Sequence, residues 1–183
     1  MKSLFLAPHN DDETLFGAFT LLREKPLVAI VTDSWIQFNR GEEVTADQRW
    51  QETVQAMKTL DCPVVRLGVR DDIIDEWAVK EKLSRFTNFD VVYAPAIQGG
   101  NPNHDLISKV ATEVFGGKCK HYTTYTPTEL YTTGNQEIVP TPQELELKNR
   151  AMESYISQLK INGPHFDAVR GKSEWLMEFN KIG

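Results

Sequence analysis

The chain has 183 residues, with 20 Lys+Arg against 26 Asp+Glu for a formal net charge of -6, and 40% hydrophobic residues, the profile of one ordinary globular domain rather than two. Its 9 Phe, 5 Tyr and 4 Trp carry too much apolar area for a disordered chain, and the acidic balance excludes the net basic surface on which nonspecific nucleic-acid binding depends. The longest apolar runs, such as Leu27 to Val31, fall well short of the roughly 18 to 20 residues that cross a bilayer, so neither a membrane nor a nucleic acid is an expected partner.

Met1 to Ala7 opens like a secretion signal, but its apolar part is short and runs straight into Pro8-His9-Asn10-Asp11-Asp12, so the mature chain is expected to start here. Cys62 and Cys119 stand apart and in no CxxC arrangement. That spacing suggests neither a disulfide framework nor a thiolate zinc site, and a reducing cytoplasm is the expected compartment.

Short apolar runs followed by helical patterns recur along the first two thirds of the chain. Lys2 to Ala7 precedes Asp12 to Glu24, Pro26 to Thr32 precedes Thr45 to Leu60, Val64 to Leu67 precedes Ile74 to Phe86, and Val91 to Ala96 precedes Asn103 to Phe115. The alternation predicts βαβ units, a mostly parallel sheet and strands buried on both faces. In Thr45 to Leu60, the positions Ala46, Trp50, Val54, Met57 and Leu60 are expected to face the sheet. Beyond Phe115 the pattern loosens into Gly116-Gly117, a β-like stretch His121 to Tyr125 and Thr/Pro-rich turns. Thr141-Pro142-Gln143-Glu144 is a capping box that starts a helix expected from Pro142 to Leu159. With no repeat, linker or charge run to divide it, residues 1–183 are read as one α/β domain.

His9 to Glu13 places an imidazole and the carboxylates of Asp11, Asp12 and Glu13 at the carboxyl end of the first strand. Crowded carboxylates repel one another and are tolerated where a cation neutralises them, although acidic residues at a helix start also favour the macrodipole. Asn101-Pro102-Asn103-His104-Asp105 follows the fourth predicted strand. In a doubly wound sheet of order 3-2-1-4-5 the first and fourth strands are neighbours, which would bring His9 and His104 together. Two histidines and a carboxylate leave positions open for water and substrate, the composition of a catalytic zinc site.

The residues His9-Asn10-Asp11-Asp12-Glu13 and Asn101-Pro102-Asn103-His104 resemble the paired signature, H-P-D-D-E and H-P-D-H, of the LmbE-like or PIG-L family of zinc-dependent de-N-acetylases. Further similarities are Arg49-Trp50-Gln51-Glu52, Leu67-Gly68-Val69-Arg70-Asp71, the stretch Lys148 to Gln158 and, more weakly, Glu174-Trp175. The resemblance implies a Rossmann-like three-layer sandwich with zinc held by His9, Asp12 and His104, and with Asp11 as general base. Zinc lowers the pKa of water at such sites to about 7, and a second carboxylate takes the remaining proton.

It also implies that Arg49 and Asp71 line the substrate site, the one through its guanidinium fork and the other as an acceptor from sugar hydroxyls; a structural ion pair is the plainer account of both. Trp35, after Val31-Thr32-Asp33-Ser34, would offer a flat ring to a sugar face. The other tryptophans read as core or rim, His121 as structural or surface, and His165 as an exposed turn residue, with the cleft within reach of either histidine. The expected partner is a small N-acetylated sugar or glycoconjugate, with homo-oligomerisation left open.

Two departures from the family pattern bear on chemistry. Asn101 stands where the family has the histidine near the oxyanion, so a donor survives but a titrating acid does not, and protonation of the leaving amine falls to Asp11. Asn103 stands where the family has Asp. These substitutions keep open a degenerate sugar-binding member of the same fold. A receiver-like Mg²⁺-binding switch is the remaining alternative, disfavoured because imidazole suits zinc better than magnesium.

Overall fold

The computed structural model describes residues 1–33, 36–39 and 42–177. The chain runs β1 (Ser3–Ala7), α1 (Asp12–Glu24), β2 (Leu27–Asp33), β3 (Ile36–Asn39), β4 (Glu42–Thr45), α2 (Ala46–Leu60), β5 (Val64–Arg70), α3 (Glu76–Leu83), β6 (Val91–Pro95) and α4 (Pro102–Phe115). A 3-10 turn and β7 (Cys119–Tyr122) follow, then β8 (Gln136–Ile138), α5 (Pro142–Met152), α6 (Ile156–Val169) and β9 (Glu174–Met177). The main sheet has the order β5-β2-β1-β6-β7-β9-β8, while β3 and β4 pair as a separate antiparallel ribbon.

Its five parallel strands, taken in chain order, stand 3-2-1-4-5, the doubly wound order expected from the sequence. β1 lies between β2 and β6, with Leu4 opposite Leu27 on one side and opposite Val92 on the other. Successive side chains of a strand point to opposite faces. Phe5 and Ala7 of β1, with Val28 and Ile30 of β2, therefore pack beneath α1, α2, α5 and α6. Leu4 and Leu6, with Ala29 and Val31, pack against α3 and α4. Three layers result, and the central strands are buried on both faces as their unbroken apolar runs predict.

Three features depart from the expectations. The helix begun by the Thr141/Glu144 capping box stops at Met152 instead of Leu159, and the chain turns through Glu153 to Tyr155 before α6. Tyr155 is fully buried and its hydroxyl reaches the Glu13 carboxylate, a position that a continuous helix would not give it. On α2 the buried stripe is Arg49, Glu52, Thr53, Ala56, Met57 and Leu60, the i, i+3, i+4 pattern of one helix face, with three polar residues at its N-terminal end. Trp77, expected in the core or at its rim, is 76% exposed.

A glycine inside a helix is usually unfavourable, but at Gly17 of α1 a Cβ would lie 2.2 Å from the Phe5 ring. Its absence lets the helix settle onto β1. On its other side α1 is held by a buried ion pair, Lys148 Nζ to Glu174 Oε1 at 2.9 Å. Lys148 also donates to the Leu15 carbonyl, and the Phe19 amide donates to Glu174 Oε2. Both turns of α1 behind the acidic cluster are thus tied to α5 and β9.

Candidate active site

His9 follows β1 directly, and the turn is pinned because Thr32 donates both its amide and its hydroxyl to the Pro8 carbonyl. His104 lies in the first turn of α4, whose N-cap is Asn101 and whose first residue is Pro102. Asp105 fastens the preceding loop by accepting from the Gln98 and Gly99 amides. Since β1 and β6 are neighbours, the two histidines converge at their carboxyl ends, the switch point at which doubly wound sheets bind ligands.

His9 Nδ1 lies 3.2 Å from His104 Nε2 and 3.2 Å from Asp12 Oδ2, and His104 Nε2 lies 3.1 Å from Asp12 Oδ2. These three atoms form the group that can hold a metal among the described residues. Ligands about 2.05 Å from a tetrahedral zinc are separated by about 3.3 Å along each edge, so the triangle of donors fits zinc without rearrangement. Two imidazole nitrogens face each other here, an arrangement that a shared cation accounts for more simply than a hydrogen bond.

Burial raises the Asp12 carboxyl, but the adjoining His104 and His9 outweigh that and hold it well below the usual carboxylate range. Burial lowers His9, with the Asp12 hydrogen bond opposing. Asp12 thus favours the ionised form that ligation requires.

Asp11 is the N-cap of α1 and carries φ 121, ψ -30, a backbone conformation that costs of order 1–3 kcal/mol in a non-glycine residue. It is held there from several sides. The Asp11 amide donates to Glu13 Oε2, the Asp11 carbonyl accepts from Thr14 and Leu15, and Arg49 Nη2 lies 3.4 Å from Asp11 Oδ2 while also donating to the Asn10 carbonyl. Burial pushes the Asp11 carboxyl well above its ordinary value against the pull of Arg49.

Glu13 is fully buried beneath, accepting from Tyr155 and Thr14, and burial pushes it to about 7 while the Tyr155 hydrogen bond opposes. Glu13 supports the turn from below rather than facing ligand, as its helix-start position suggests.

The site opens into a cavity of about 360 Å³. Of the residues singled out from the sequence, His9, Asp11, Asp12, Arg49, Asp71, Asn101 and Asn103 all line it, while His104 is 2% exposed and reaches the site through its contacts with His9 and Asp12. Arg49 pairs with Asp11. Asn101 Nδ2 donates to the Tyr125 hydroxyl at 3.2 Å. Trp35 lies outside the described residues. His121 is 6% exposed, with its Nε2 3.1 Å from Thr112 Oγ1, and is structural.

Tyr125, Gln158, Asn162 and His165 also line the cavity; of these, the sequence points only to His165 as within reach of the cleft. His165, expected in an exposed turn, is half-buried on α6 and packs edge-on against Tyr125, with ring centroids 5.1 Å apart. The spacing of Gln158, Asn162 and His165 is i, i+4, i+7, one stripe of a helix, a signal hidden by Pro164 and by the kink at Asn162. Tyr125 is placed by Gly100, where a Cβ would stand 2.3 Å from the Tyr125 carbonyl oxygen.

Fold and site together define a Rossmann-like α/β protein with a His-Asp-His metal-type cluster and an adjoining carboxylate at the switch point of its sheet. The sequence profile of the PIG-L family, described as GlcNAc-PI de-N-acetylase, matches residues 4–115. The chain belongs to that family.

Among solved structures it resembles the zinc-inhibited form of teicoplanin deacetylase at 14% identity and TM-score 0.74, with all of both chains covered. It resembles N,N'-diacetylchitobiose deacetylase from Pyrococcus horikoshii at 18% identity and TM-score 0.72, covering 96% of this chain and 83% of that one. It also resembles 4-carboxy-2-hydroxymuconate hydratase from Pseudomonas putida at 15% identity and TM-score 0.70, covering 100% and 98%. At these identities the likeness is one of fold, and that fold carries more than one reaction. No curated protein matches the chain. Among the described residues no helix is long and apolar enough to cross a membrane.

Proposed function

We propose that the chain is a metal-dependent N-deacetylase that hydrolyses the acetamide of an amino sugar or glycoconjugate, with zinc as its metal. The observation that carries this reading is the meeting of His9 Nδ1, Asp12 Oδ2 and His104 Nε2 within 3.2 Å of one another beside Asp11, in a polar cavity large enough for a single sugar ring. Family membership and the two deacetylases of like fold support it.

Zinc held by His9, Asp12 and His104 would supply a Lewis acid and an acidified water. Asp11, poised by its strained backbone and by Arg49, takes the proton of the attacking water and returns it to the leaving amine. Asn101 turns its Nδ2 from the Tyr125 hydroxyl to the carbonyl oxygen as negative charge grows there. Asp71, Gln158, Asn162 and His165 offer hydrogen-bonding groups around the rest of the substrate.

The test is metal analysis of the purified chain, together with amine release from a panel of N-acetylated sugars. One zinc per chain with turnover of a panel member is the expected result. Bound zinc without turnover of any member would favour a sugar-binding role, and absence of bound divalent metal would refute the site.

A further inference from the structure

Asn103 occupies an unusual place in this site. Its backbone amide donates to Asn101 Oδ1 at 2.8 Å, and its side-chain Nδ2 lies 3.3 Å from His9 Nε2 and 3.2 Å from the Asp71 carbonyl oxygen. His9 Nε2 is the nitrogen turned away from the donor triangle. The corresponding far nitrogen of His104, Nδ1, is buried with no hydrogen-bond partner among the described residues. Asn103 is therefore the one described side chain hydrogen-bonded to the far nitrogen of either ligand imidazole.

A neutral imidazole carries one proton, and the nitrogen without it is the acceptor. With Nδ1 protonated and donating to Asp12 Oδ2, Nε2 accepts from the Asn103 amide, which donates to the Asp71 carbonyl as well. A cation at the triangle needs the Nδ1 lone pair, so the ring proton must then sit on Nε2. No proton is gained or lost overall. The Nε2 proton now faces the amide's NH2 group, donor against donor.

A primary amide resolves this by a half-turn about its last bond, after which Oδ1 accepts from Nε2 and the bond to the Asp71 carbonyl is broken. A carboxylate at this position would answer only the metal-loaded state, and an alkyl side chain neither.

We propose that Asn103 is a positioning residue that links metal occupancy at His9 to the segment carrying Asp71, releasing that wall of the cavity when the metal binds. This rests on the metal site assigned above. Through it, the loaded protein presents a looser Asp71 wall to substrate than the metal-free protein does.

The experiment pairs two readouts on native, Asn103→Asp and Asn103→Ala proteins. One is zinc affinity by competition with a chromophoric chelator, and the other is amide hydrogen exchange of residues 70–74 with and without zinc. Removing or improving an outer-shell partner changes metal affinity about 10- to 100-fold. Asn103→Asp should bind zinc at least tenfold more tightly than native, and Asn103→Ala more weakly. Zinc should speed exchange at residues 70–74 of the native protein and leave it unchanged in Asn103→Asp, where the bond to Asp71 is already absent.

The exchange measurement on the native chain needs no variant to fold. Native exchange indifferent to zinc, or an Asn103→Asp protein no tighter than native, would overturn the proposal while leaving the metal site standing. A native chain that binds no zinc would overturn both.

Discussion

Arg49 and Asp11 form a buried ion pair, Nη2 to Oδ2 at 3.4 Å, across 38 residues of sequence, and each is under a tenth exposed at its side chain. The same guanidinium donates to the Asn10 carbonyl, so one side chain fixes both the backbone and the carboxylate of the turn. Replacing it by lysine keeps charge but loses the fork. We predict that Arg49→Lys retains zinc and loses about 100-fold in kcat, the scale of a misplaced catalytic group. Equal kcat in the two proteins would remove Arg49 from the positioning of Asp11.

Ligand and base should separate cleanly. His9→Ala and His104→Ala are expected to lose the metal on dialysis, as each removes one corner of the donor triangle. Asp11→Asn should keep one zinc per chain while its turnover falls about 10²- to 10⁴-fold, the usual contribution of a general base. Metal content by elemental analysis decides this, and loss of zinc from Asp11→Asn would merge the two roles.

Much of this site was legible because its chemistry is local. His9 to Glu13 announces an acidic turn after a strand, and the βαβ alternation fixes which second segment lies opposite. What escaped the sequence reading depends on distant packing. Tyr155, in the turn between α5 and α6, reaches Glu13, a contact 142 residues away in sequence, and no local propensity carries that instruction. The stripe of Gln158, Asn162 and His165 was masked by Pro164, which reads as a break but here sits within a kinked helix. Glu52 resembles part of a solvated helix face until the Ser157 amide and hydroxyl are seen to claim it.

The Lys148–Glu174 pair is 1% and 2% exposed at its side chains. Removing one partner of a buried pair leaves a stranded charge, which costs about 3–5 kcal/mol, whereas removing both is often close to neutral. Lys148→Met should therefore destabilise by about that amount in urea, and Lys148→Met combined with Glu174→Leu should recover most of it. A double variant as unstable as the single one would show that the hydrogen bonds to Leu15 and Phe19 dominate instead.

Acid stability should carry a signature of Glu144. Its hydrogen bond and ion pair with Arg23 at 2.7 Å hold its carboxyl at about 2, against an ordinary value of 4.5. Because the folded value lies below the unfolded one, the contribution is fully present above pH 4.5 and is lost as pH falls toward 2. The stability difference between native and Glu144→Gln should shrink across that window and stay constant above it. A difference that does not change between pH 5 and 2 would count against the pair.

Although β9 is the last described strand, it is inserted between β7 and β8. As the chain leaves the ribosome, β8 emerges with no partner in the main sheet, and Lys148 emerges before its counter-ion. Every metal donor has been synthesised by His104, yet the last tie on the helix bearing Asp12, from the Phe19 amide to Glu174, waits until Glu174 arrives. A nascent chain therefore holds the full set of ligating groups some 70 residues before the last tie on α1 can form. Such late, long-range closure slows folding, and the ligating groups are all present before the last of their supports.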